Sequence, residues 1–277
     1  MVVFFAFVMG IGYLFDRHYG LGGMALAAAA AYSSVSALVG FYTGDRVALA
    51  MSGAKPIRET DNPYLYRMVE NLCIATGTPM PKVHVIDDPA INAFAAGRNP
   101  EHASIAVTTG ALRKLENEEL EGVLAHEMSH IRNYDIRLMT LVIVLVGTVS
   151  ILADIFLRST LFGRRRDSQD GGGNGLLAIV GIVMVVLSPI VAQLVKLAVS
   201  RRREFLADSS AALITRFPEG LARALAKIRD DNTPMRRASG ATAHLFISNP
   251  LRGNALSRMF STHPPIEDRI AALKRMG

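Results

Sequence analysis

The chain has 277 residues, half of them hydrophobic, and a formal net charge of +6. Its mean hydropathy of +0.27 exceeds what a water-soluble domain of this size usually shows and points to membrane segments. The basic balance does not indicate nucleic acid: no aromatic-interleaved basic face occurs, and the arginines gather beside apolar runs, where headgroups and the positive-inside rule place them.

Residues 1–15 form a first apolar run, short against the roughly 17–25 residues of a membrane span. It has no basic lead-in and a second run follows almost at once, so a cleaved signal peptide is not expected. Asp16-Arg17-His18 is expected to be the polar turn into run 21–42, which is rich in the Ala, Gly and Ser that permit close helix packing. Cys73 stands alone, which excludes an intrachain disulfide and suits a reducing compartment; in its helical setting it reads as a packing residue. Val83-His84-Val85-Ile86 and Ser104 to Thr108 read as short strands. A helix is predicted over 117–134, with Asn117 as N-cap and Glu118 and Glu119 at the positive end of its dipole.

Runs 138–157 and 176–199 are each long enough to cross about 30 Å of hydrocarbon. Asp154 in the first of them is expected to line a cavity, and Lys196 in the second to snorkel. Residues 163–175, with Arg164-Arg165-Arg166 and Gly171-Gly172-Gly173, read as a flexible connection, and Arg236-Arg237 lie in another loop. Four crossings put the polar segments 45–137 and 200–277 on one side. Arg46, Lys55, Arg58, Arg132, Arg137 and Arg201 to Arg203 mark that side as the cytoplasm. Arg164 to Arg166 would then face outward; the alternative is a hairpin of the third and fourth runs that does not fully cross.

His126 and His130 of His126-Glu127-Met128-Ser129-His130 are four apart on the predicted helix. They share one face, about 6 Å apart along the axis, and can hold one zinc ion. Glu127 can take the proton of a water that the metal acidifies, for attack on a peptide carbonyl. Leu120, Val123 and Leu124 give this helix an apolar face, as a core helix bearing a site needs. A catalytic zinc site uses three protein ligands. Glu204 and Asp208, also four apart, fit as third ligand and as acceptor from a ligand imidazole. Spacing alone leaves them equally readable as two solvated carboxylates near an arginine cluster.

The order of these motifs resembles that of the HtpX family of bacterial membrane-bound heat-shock metalloproteases over nearly the whole chain. Two apolar runs precede Asn92-Ala93-Phe94-Ala95; the HEMSH helix, two further runs and Glu204 to Asp208 follow. Ser261-Thr262-His263-Pro264-Pro265 and Arg269 close the pattern. The resemblance implies Glu204 as third ligand, one zinc ion per chain, and His263 as donor to the oxyanion, with Arg269 orienting a carboxylate such as Asp208. It makes Ser104, Ile105, Ala106, Val107 and Thr108 the edge strand along which an extended substrate aligns, with Asn92 beside it; Asn92 is equally readable as a turn residue, and His263 as an anchor before Pro264-Pro265.

The expected fold is α+β and predominantly helical: a zincin-like protease domain with a small β-sheet and about four transmembrane helices. The N-terminal hairpin is 1–44, the protease domain is 45–137 with 200–277, and 138–199 is a second hairpin. The expected function is a zinc endopeptidase in the bacterial inner membrane, multi-pass, with its site facing the cytoplasm. Its partners would be misfolded or damaged membrane proteins and the lipid bilayer; nothing specifies an oligomeric state. The alternatives are a prenyl-protein processing protease and a non-catalytic membrane adaptor, against which the intact Glu127 speaks. His18, His84, His102 and His244 have no partner spacing and read as structural.

Overall fold

A computed structural model describes residues 2–143, 200–231, 233–237, 241–250 and 263–277. Asp154, Lys196, the 163–175 connection, the fourth apolar run, most of the third, and Ser261-Thr262 lie outside the described residues. The described part is mostly helical with one small mixed sheet. The chain divides into two units, Met1–Tyr42 with Ile143–Leu194 and Thr43–Val142 with Val195–Gly277.

In the first unit α1 (Val2–Tyr19) runs straight through Asp16-Arg17-His18, so the predicted polar turn is helical. The reversal falls on Gly20 to Gly23 instead, where Gly20, Gly22 and Gly23 have φ of +64°, +58° and +92°. Glycine takes that left-handed backbone without the strain a Cβ would meet. Asp16 serves the next helix, α2 (Met24–Ser52): its carboxylate accepts from the Gly23, Ala25 and Leu26 amides at 3.0–3.2 Å. These are donors that a helix N-terminus leaves unpaired. A Cβ at Gly12 would fall 2.6 Å from the Ala29 Cβ, so the small residues do permit close approach. α2 is, among the described residues, the one helix long and apolar enough to cross a membrane by length and composition.

In the second unit β1 (Ala54–Pro56), β2 (Lys82–Ile86), β3 (Ala93–Gly97) and β4 (Ala103–Thr108) lie in the order β1-β2-β4-β3. β2 pairs parallel with β4, and the other two pairings are antiparallel. This corrects the expectation for Ser104 to Thr108: β4 is bonded on both sides and has no open edge, and all of its side chains are buried. Thr108 has a local task, capping α4 (Thr109–Lys114) through the Ala111 amide and donating to the Ala90 carbonyl at 2.7 Å. The edges are β1 and β3, and β3, which holds Ala93 to Ala95 of the motif, does not read as a strand in the sequence because Ala93 to Gly97 shows no polar alternation. Its residues are buried on both faces, so the period-2 signal is absent.

α3 (Pro63–Thr76) is capped by Asn62 and ends at Gly77, φ +65°. α5 (Asn117–Arg132) starts one residue earlier than the N-cap expectation. Glu116 holds the cap position, its amide donating to the buried Glu119 carboxylate at 2.8 Å, while Asn117 accepts from Tyr64 Oη. α6 (Arg201–Thr215), α7 (Pro218–Asp230) and α8 (Ile266–Lys274) complete the unit. Leu120, Val123, Leu124 and Met128 of α5 are fully buried in one core with Leu221, Leu225 and Ile228 of α7. A Cβ at Gly220 would stand 2.4 Å from the Glu118 carbonyl oxygen, so α5 and α7 approach to backbone contact there.

Candidate active site

α5 carries His126, Glu127 and His130 in its last two turns, and α6 brings Glu204 and Asp208 against them, all nearly inaccessible to solvent. The polar residues are sunk in the core because the apolar faces of both helices are packed around them. The imidazoles meet edge to face, centroids 4.8 Å apart, with their Nε2 atoms 3.2 Å apart. Glu204 Oε1 stands 3.6 Å from His130 Nε2, and Glu204 Oε2 3.9 Å from His126 Nε2. One ligand atom from each of His126, His130 and Glu204 lies within 4.8 Å of the others.

The outer nitrogens fix the tautomers. His126 Nδ1 is 3.0 Å from Asp208 Oδ1, and His130 Nδ1 is 3.1 Å from Asp135 Oδ2. A carboxylate accepts, so each Nδ1 carries the proton and each Nε2 presents a lone pair. Arg269 Nη2 also nears His126 Nδ1 at 3.4 Å, but it already donates to Asp208 at 2.7 Å, and the shorter ionic contacts decide. Two imidazole lone pairs therefore point at one another, with the buried Glu204 Oε1 beside them lacking any hydrogen-bond partner. Three acceptors without a donor, shut away from water, are what a cation requires, and the residues fit a metal ion.

Asp208 is gripped by Arg269 through both oxygens, at 2.9 and 2.7 Å. Burial pushes the Asp208 carboxyl up, but Arg269 and His126 outweigh it and bring it to about 2. Burial likewise raises Glu204, and His263, His130 and Arg269 together hold it well below the usual range. Burial lowers His126 to about 4 and raises Glu127 to about 7. Burial works against charging His130 as well, yet Asp135 and the carboxylates of Glu204 and Glu127 raise it. The Ala95 backbone of β3 lies close enough to lower the Glu127 carboxyl, which places the general-base candidate at the sheet edge.

His263, just before α8, turns Nδ1 to Glu204 Oε2 at 2.8 Å and leaves Nε2 buried without a partner. Asn92, 3 % exposed, is bonded through its side chain to the backbone of Ser248. The structure thus gathers His126, Glu127, His130, Glu204, Asp208, Arg269 and His263 at one point, with Asn92 at the near end of β3. Ser104 to Thr108 lie one strand further away. Asp135 is the residue that sequence reasoning missed. It follows the helix after a break at Tyr134, φ +60°, which no pattern of spacing anticipates. Arg203 holds it at 3.4 Å. His84 meets the Lys82 carbonyl, His102 meets Asn99, and His244 Nε2 donates to the Met139 carbonyl.

Two histidines and a glutamate around a buried carboxylate define a metallopeptidase. The chain belongs to peptidase family M48, whose family model matches residues 59–277, and within it to the HtpX proteases. It is 46 % identical to the protease HtpX homolog of Tropheryma whipplei (strain Twist) over all of this chain and 94 % of that one. It is 44 % identical to the protease HtpX homolog of Caldanaerobacter subterraneus subsp. tengcongensis over all of this chain and 93 % of the relative. The crystal structure of S. mikatae Ste24p shares the fold, with a TM-score of 0.55 at 19 % identity, over 94 % of this chain and 61 % of that one. The chain is a membrane metallopeptidase.

Proposed function

We propose that this metallopeptidase is a zinc-dependent endopeptidase of the bacterial inner membrane that clears misfolded or damaged membrane proteins from the cytoplasmic side. The observation that carries it is the convergence of the His126 and His130 Nε2 lone pairs on the orphaned Glu204 Oε1. Two nitrogens on one tetrahedral zinc stand roughly 3.3 Å apart for Zn–N of about 2.0–2.1 Å, close to the 3.2 Å between the Nε2 atoms. His126, His130 and Glu204 would hold the ion, Asp208 and Asp135 would fix the two imidazoles, and Arg269 would keep Asp208 in place. Zinc held there would acidify a water and polarise a carbonyl.

Glu127 is the group that takes the proton of the attacking water and returns it to the leaving amine. Burial helps by bringing its carboxyl to about 7, where it can do both. His263 reaches the oxyanion through Nε2. An extended substrate would add to β3, not β4, next to Asn92. The two hairpins 1–44 and 138–199, four spans in all, would anchor the protease parts 45–137 and 200–277 at the membrane.

The test is Glu127→Gln in the full chain in detergent, with zinc content measured. Zinc is expected to stay and cleavage of unfolded casein to cease; continued cleavage near the unaltered rate refutes the proton-transfer assignment. A farnesylated peptide cleaved far faster than its unmodified twin would move the substrate class to prenylated proteins. For the topology, Arg166→Cys on a Cys73→Ser background is expected to react with an impermeant maleimide added outside intact cells. Protection there would leave the third and fourth runs as a hairpin that does not cross.

A further inference from the structure

Asn92 sits beside the open side of β3, and that side is already in use. Thr108 donates its amide to the Asn92 carbonyl, so the backbone of residue 92 faces β4. Strand alternation then turns the backbone groups of Ala93, Ala95 and Gly97 the other way. The Ala95 backbone lies beside the Glu127 carboxyl, and the Gly97 amide donates to Thr140 Oγ1 at 3.1 Å. The Ala93 carbonyl accepts from the Ile247 amide at 3.0 Å. Ser248 continues the pairing: its amide donates to Asn92 Oδ1 at 3.3 Å, and its carbonyl accepts from Asn92 Nδ2 at 3.0 Å. Arg269 Nη1 donates to the Ile247 carbonyl at 3.3 Å. Phe246 stacks edge-on to Phe94, centroids 5.0 Å apart, and Phe246 and Ile247 are buried.

We infer that Phe246-Ile247-Ser248 occupies the position on β3 that a substrate strand takes, so the chain blocks its own cleft in the conformation described. Ala93 lies two residues from Ala95, the neighbour of Glu127, or about 6.6 Å along a strand. A peptide placed for attack beside Glu127 would therefore run into Ile247. The four hydrogen bonds to Ile247 and Ser248 all use backbone atoms of the segment, so an extended peptide of any sequence can replace them. Substrate would bind by exchange, and the population with a free edge would set the apparent affinity. The inference rests on the peptidase reading above and names a regulation of the same site.

Ile247→Pro removes the amide that Ala93 accepts, and Ser248→Pro the one that Asn92 accepts. In the zinc-loaded full chain each is expected to raise kcat/KM for unfolded casein by roughly tenfold, carried by a lower KM with kcat little changed. An unaltered chain that cleaves casein beside folded, zinc-loaded proline variants with the same or lower kcat/KM overturns the inference and leaves the peptidase reading standing. If neither the unaltered chain nor the variants cleave, both fall. Should the prolines prevent folding, hydrogen exchange in Glu127→Gln decides. Saturating unfolded casein is expected to speed exchange at Ile247 and Ser248; unchanged protection with casein bound makes the segment a permanent wall.

Discussion

Single residues set the chemistry by being buried in pairs. Asp135 and Asp208 play matching parts, each accepting from the outer nitrogen of one imidazole. Asp135→Asn should leave the fold intact, because its other partner, Arg203, is itself partly exposed. Zinc affinity should fall roughly 10–100-fold, read by competition with a chromophoric chelator; an unchanged affinity would remove Asp135 from the site. Asp208→Ala is a different matter, since it takes from the Arg269 guanidinium, 1 % exposed, the carboxylate that grips it through both oxygens and leaves it only Glu204 at 3.7 Å. A loss of about 3–5 kcal/mol is expected in denaturant unfolding. His263→Ala should lower kcat roughly a hundredfold with a smaller change in KM, if Nε2 meets charge that develops only in the transition state. At Cys73, burial, aided by Glu70, raises the thiol from 9.0 to about 11. The folded chain therefore holds this proton longer than the unfolded one. Its contribution to stability is complete below about pH 9 and is lost as the pH rises towards 11. At pH 8 a maleimide should label Cys73 at least about tenfold more slowly in the native chain than in urea, because the thiolate is the nucleophile.

At the scale of elements, α5 does three jobs at once. It carries two ligand candidates and the base candidate, packs its apolar face on α7, and reaches the sheet edge through Glu127 and Ala95. The α5–α7 contact is set by glycine. Gly220→Val puts atoms where the Glu118 carbonyl lies, and a loss of about 1–3 kcal/mol is expected, seen as a lower midpoint in thermal unfolding. An unchanged midpoint would mean the helices can separate without loss. The helix itself was legible in the sequence: Leu120, Val123 and Leu124 mark its inner face, and His126 and His130 fall at helical spacing. Its cap was displaced by one residue because Glu119 reaches back to the Glu116 amide, a side-chain choice that composition does not fix. Which strand forms the edge is a matter of topology. Ser104 to Thr108 looks like a strand, but whether a strand lies at an edge depends on its neighbours, and β2 and β3 flank it on both sides.

For the whole molecule, the proposed metal would couple to the fold. The candidate ligands come from α5 and α6, separated in sequence by the second pair of apolar runs. Stripping the ion with a chelator should lower the thermal midpoint by several degrees, and added zinc should restore it. A midpoint indifferent to chelation would argue that the three acceptors hold no ion in the native chain. By itself the sequence determined the class of chemistry, the apolar runs, and His126, Glu127 and His130 as one helical group, with Glu204 added by the order of the motifs. Ligand types at helical spacing and the order of the motifs are local or linear properties, readable without coordinates. Only the tertiary structure decided that Asp135 supports His130 and that β3 forms the edge. It alone showed Ile247 and Ser248 lying along that edge. Each of these depends on which distant segments share a buried surface, and hydrogen-bond partners across such a surface leave no period in the sequence. The helix with the HEMSH motif could be named from five residues; the segment lying along the edge of β3 needed residues more than a hundred positions away.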